Sequence, residues 1–179
     1  MGAENAIVCW LLINTALAPI RKVQSIISRI GAGPVGFLSK EERKEISSDP
    51  RIHHIDANGI CGDVIVVTNF KYSAHDRIKI QLYLDKERND IRVNEAGIFH
   101  NASHVFGKKR GNEHGGVYPL GTKALLNKYG CVYERGNIST HISADNYTAA
   151  AILEAVCRVA TTCKEVVEIP TTDWESLRG

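Results

Sequence analysis

The sequence predicts a single α+β domain over residues 1–179, with a central sheet, antiparallel or mixed, packed against two helices. Three observations carry this. Ile78, Ile80, Leu82 and Leu84 alternate strictly with Arg77, Lys79, Gln81 and Tyr83, a period of two that only a half-buried strand explains. Ile20, Val23, Ile26, Ile27 and Ile30 recur at three and four, the spacing of an amphipathic helix over 20–30. Tyr147 to Val159 is apolar almost all round, which fits a helix over 146–160 lying buried across the sheet.

Each element has a local cause. The apolar run from Ile7 to Ile13 reads as a buried central strand, and Pro19 suits the first turn of the helix that follows. Gly31 ends that helix. Ser39 then starts a short polar one, with Glu42 at the capping-box position and Asp49 and Pro50 closing it. Val64 to Tyr72 is β-branched and aromatic, and the link from Ser73 to Asp76 is short enough for a hairpin into the alternating strand. After a turn from Lys86 to Asp90, Ile91 and Val93 add a third strand, so 63–94 is an antiparallel meander. Thr122 to Tyr129 reads as a helix stopped by Gly130, and Cys131 to Tyr133 as a short strand. Asp145 or Ser143 is the expected N-cap of the last helix, Glu154 and Arg158 mark its wet edge, and Val166, Val167 and Ile169 suggest a further edge strand. Edge strands of such a meander would be covered in a homodimer.

Composition narrows the class. A formal charge of +2 is near balance, so attraction to nucleic acid or an anionic membrane needs a local patch. Five widely spread cysteines with no C-x-x-C pair fit reduced thiols in a cytoplasmic protein better than a disulfide framework or a zinc ribbon. The run from Ala6 to Ala18 superficially resembles a signal sequence. It is preceded by Glu4 and no cation, is followed by Pro19, and is too short to span a bilayer, so no membrane partner is expected.

The chemistry concentrates between Gly97 and Gly121. Gly107, Lys108, Lys109, Arg110, Gly111 and Asn112 form a cationic turn bounded by glycines, in which backbone N–H groups and side-chain cations can enclose a phosphate. His100, His104 and His114 lie close enough in sequence to serve it as general acids or bases. The leading expectation is therefore a small enzyme acting on a phosphate-bearing or nucleotide-like metabolite, by phosphoryl or nucleotidyl transfer or by phosphoanhydride hydrolysis. Its Mg²⁺ would be held by Asp63 and Asp76. One alternative is a metal-dependent hydrolase built on His53, His54, His100 and His104. Another is a non-catalytic RNA-binding or protein-interaction domain, using the basic turn with Tyr118, Tyr129 and Tyr133 for stacking.

Three short stretches resemble known families. Gly31, Gly33 and Gly36 are similar to the dinucleotide-binding fingerprint of flavoproteins, with Asp56 near the ribose-binding distance, but they follow a polar-interrupted helix and not a strand. Cys61, Gly62 and Asp63 resemble the Cys-Gly-Asp segment of iron-sulfur scaffold proteins, which implies a ligand at Cys61. No cysteine lies between Cys61 and Cys131 to supply that family's middle ligand. Asn14 followed by Lys22 is similar in outline to the phosphate-holding start of nucleoside-triphosphate pyrophosphatases, at a wider spacing.

Overall fold

The computed structural model describes residues 37–56, 64–96, 117–134, 136–145, 147–170 and 172–177. Within them the chain is α+β. It comprises α1 (Lys40–Ser47), β1 (Ile52–Asp56), β2 (Val64–Lys71), β3 (Arg77–Asp85), β4 (Asp90–Glu95), β5 (Val117–Pro119), α2 (Thr122–Tyr129), β6 (Val132–Glu134), β7 (Asn137–Ser143), α3 (Ala149–Glu168) and β8 (Trp174–Ser176). Six strands form one sheet in the order β1-β2-β3-β4-β7-β6, and β5 pairs with β8 in a second small one. Every described pairing is antiparallel, the first of the two sheet types the sequence allows. The expected strand from Ile7 and the helix over 20–30 lie outside the described residues.

The meander forms as its alternation requires. Leu82 pairs with Val64 and Val93, and Ile80 with Val66, so the aliphatic side chains of three strands share one face. α3 lies across that face and fills it with Ile152, Val156, Val159, Ala160, Cys163 and Val166. Val64, Val66, Ile78, Ile80, Leu82, Ile91 and Val93 are buried against it. Burying such a side chain fully is worth about 1.5–3 kcal/mol, so this contact contributes strongly to cohesion among the described residues. One polar group enters the same layer. Glu95 is fully buried, and it influences Tyr72, Tyr118 and Cys163, all raised in pKa first by their own burial.

The ends of the helices follow their local chemistry. Ser39 accepts from the N–H of Glu42 at 3.2 Å while the Glu42 carboxylate accepts from the N–H of Ser39 at 2.8 Å, so the capping box forms as expected. α2 ends at Gly130 with φ +60°, a left-handed conformation that glycine adopts at little cost. Two expectations for α3 are corrected. Its N-cap is Thr148, whose hydroxyl accepts from the N–H of Ala151 at 3.1 Å, and neither Asp145 nor Ser143 takes that role. Val166 and Val167 belong to the helix, with Ile169 as its C-cap. Val166 falls on the buried stripe, and its packing on the sheet outweighs the local β preference of the sequence. The wet edge of the helix accordingly extends beyond Glu154 and Arg158 to Lys164 and Glu168, which pair at 3.7 Å.

Candidate functional site

The face of the sheet turned away from α3 carries the polar half of the alternation. His54 on β1 pairs with Val67 on β2, and Val67 with Lys79 on β3, so three side chains stand in a row across the strands. Register in β1 shifts between Ile52 and His54, a bulge that inserts His53. Bulges re-aim side chains, and here both consecutive histidines are exposed, where a regular strand would send one to each face. Their rings meet edge to face with centroids 4.9 Å apart.

The turn between β2 and β3 completes the enclosure. His53, His54, Val67, His75, Asp76, Arg77 and Lys79 line one pocket of about 290 Å³ at the β1 end of the sheet. Ser73 donates to the Asp76 carboxylate at 3.1 Å and fixes it in the turn. Among the described residues no carboxylate ion-pairs with Arg77 or Lys79, and the Arg77 Nε is buried without an acceptor. Loss of hydration lowers the pKa of His53, and the nearby Arg77 guanidinium and His54 ring lower it further. A ring shifted this way is neutral at pH 7 and free to accept a proton. Two permanent cations, three imidazoles and a single carboxylate make a pocket suited to an anion.

Of the residues singled out in the sequence, Asp76, His53 and His54 come together here. Asp63, His100, His104, Lys108, Lys109, Arg110, Gly111, Asn112 and His114 lie outside the described residues, as do Asn14, Lys22, Gly31, Gly33, Gly36 and Cys61. Among the described residues no three His, Cys, Asp or Glu side chains are grouped as a metal ion requires. The tyrosines expected to stack on bases are engaged elsewhere. Tyr118 is fully buried with its ring 5.3 Å from that of Tyr133, and the Tyr129 hydroxyl donates to Glu165.

His75, Arg77 and Lys79 carried no site signal in the sequence. Arg77 and Lys79 read there only as the wet positions of a strand, and their convergence with His53 depends on strand pairing and on the bulge. A second polar cluster, on β4, β6 and β7, was equally illegible. His141 places Nδ1 at 3.0 Å from Asp90 and Nε2 at 2.9 Å from Glu134. Arg92 lies 2.8 Å from Glu134 and donates to the Tyr83 hydroxyl at 2.9 Å. Each charge in that cluster already has its partner, which makes it a brace across the strands and not an open site.

Comparison with protein families, with characterised proteins and with solved structures found no match. Among the described residues no helix is long and apolar enough to cross a membrane.

Proposed function

We propose that this chain binds a phosphate-bearing, nucleotide-like ligand in the pocket at the β1 end of the sheet and promotes chemistry at its phosphorus. The supporting observation is the convergence of Arg77 and Lys79 with His53, His54 and His75 on one cavity, with neither cation ion-paired among the described residues. Arg77 offers donors in a fixed fork suited to phosphate oxygens, and Lys79 adds a compact charge beside it. In phosphoryl transfer, positioning and charge neutralisation supply most of the catalysis, and the imidazoles can move the protons. If Mg²⁺ takes part, Asp76 is the pocket's carboxylate for it, since Mg²⁺ is commonly shared between one or two carboxylates and the substrate's phosphates. The cationic run from Lys108 to Arg110 would add a second phosphate contact, but the proposal stands on the pocket alone.

The test is calorimetric titration with pyrophosphate and a panel of nucleoside mono-, di- and triphosphates, with and without Mg²⁺. Binding is expected, and the double variant Arg77→Gln/Lys79→Gln should weaken it at least 10-fold, the lower end of losing charge-assisted hydrogen bonds of about 1.5–3 kcal/mol. Absence of binding by every member of the panel contradicts the proposal.

A further inference from the structure

The pocket's contents bear on the kind of phosphate it accepts. Hydrolysis or transfer to an external acceptor requires the protein to position a separate nucleophile. A ribonucleic acid brings its own, because the ribose 2′-hydroxyl sits beside the phosphorus it can attack. Such a substrate needs a base, an acid and a cation from the protein, and the pocket holds several imidazoles with Arg77 and Lys79. Its dimensions agree. At about 290 Å³ it lies at the small end for ligand sites, enough for a phosphate and its flanking sugar and too small for a whole dinucleotide. It also sits at the margin of the sheet, lined by the exposed residues His53, His54, His75 and Asp76, where a chain can enter and leave.

We infer that this site, taken as the phosphate-binding pocket proposed above, cleaves RNA by transesterification. One imidazole of the adjacent pair, His53, removes the 2′-hydroxyl proton as the 2′-oxygen forms a bond to the neighbouring phosphorus. The bond from phosphorus to the 5′-oxygen of the next nucleotide breaks, and His54 or His75, protonated, gives that oxygen its proton. The products are a 2′,3′-cyclic phosphate and a free 5′-hydroxyl. No water, metal or redox partner enters the balance, and the two histidines end with their protonation states exchanged. Arg77 and Lys79 neutralise the oxygens of the five-coordinate phosphorus, where negative charge grows. The lowered pKa of His53 suits the base, because a neutral ring is present at pH 7.

The experiment uses the full chain with chelator present and a short single-stranded RNA, its all-deoxy counterpart and pyrophosphate as probes. Cleavage of the RNA to 2′,3′-cyclic phosphate ends, detected by phosphorus NMR, is expected, with the deoxy strand uncut. The rate should show a bell-shaped dependence on pH and fall at least 100-fold in His53→Ala and in His54→Ala/His75→Ala. Circular dichroism checks that these exposed substitutions leave the fold intact. Cleavage that persists undiminished in those variants overturns the inference, because the activity then lies elsewhere. Binding of RNA or pyrophosphate without cleavage also overturns it, and leaves the phosphate-binding proposal standing. Failure of all three probes to bind removes both.

Discussion

Arg92 shows how much one residue's position in the sheet decides. It is only 3% exposed, and its guanidinium ties together Glu134, Tyr83 and the backbone carbonyl of Glu134 at 2.8, 2.9 and 3.2 Å. Removing it would leave Glu134 hydrogen-bonded to His141 and with Arg88 at 3.9 Å as its nearest permanent cation among the described residues. Arg92→Met should therefore cost about 3 kcal/mol in urea denaturation, the range for breaking a buried ion pair from one side, and an unchanged midpoint would show that the brace adds nothing. Arg77 carries the same charge on the same face of the sheet, and among the described residues no carboxylate pairs with it. In the sequence both are polar positions of alternating strands. Only the register, which sets Arg92 beside Tyr83 and His141, separates the structural cation from the available one.

Local chemistry made some elements legible and tertiary packing made the others. The capping box at Ser39 and the stop at Gly130 depend on residues within one turn, and both stand where the sequence puts them. β7 was not anticipated. Its Ser139, Thr140 and His141 carry little apolar pattern, and it joins the sheet because Val93 and Ile91 offer it a partner edge. β8 pairs with β5 from a stretch that reads as a polar tail, and its Glu175 caps α2 by accepting from the N–H of Lys123 at 2.8 Å. At Gly130 an added Cβ would meet the Arg158 guanidinium at 3.8 Å, an ordinary contact, so Gly130→Ala tests conformation alone. It should destabilise the protein by about 1 kcal/mol, the cost of a left-handed backbone with a side chain. A larger loss in thermal denaturation would mean that packing at the site had been underestimated.

At the scale of the whole molecule, the core under α3 is not purely apolar. Tyr72, Tyr118 and Cys163 lie beside buried Glu95, and burial raises the pKa of all three. Groups of this kind keep their protons when folded and release them when unfolded. Their stabilising effect is complete below the ordinary thiol and phenol values of 9.0 and 10.0, and it is lost as pH rises past them. The free energy of unfolding from urea denaturation should fall between about pH 8 and about pH 11 with a slope of up to about 1.4 kcal/mol per pH unit for each retained proton. A flat profile would show that the cluster opens to solvent. The α+β class, the meander and the buried last helix were readable because each repeats a period over many residues. The pocket was not, because it assembles short pieces of β1, the β2–β3 turn and β3 that share no sequence pattern.

The central claim concerns that pocket, and the most direct measurement follows the ring protons of His53, His54 and His75 by NMR as pyrophosphate is added. The account predicts that these three resonances shift together and saturate, and that the His53 titration moves upward in pH, because a bound anion favours the charged ring. If pyrophosphate leaves all three unmoved, or shifts only histidines outside the pocket, the site is not the one described.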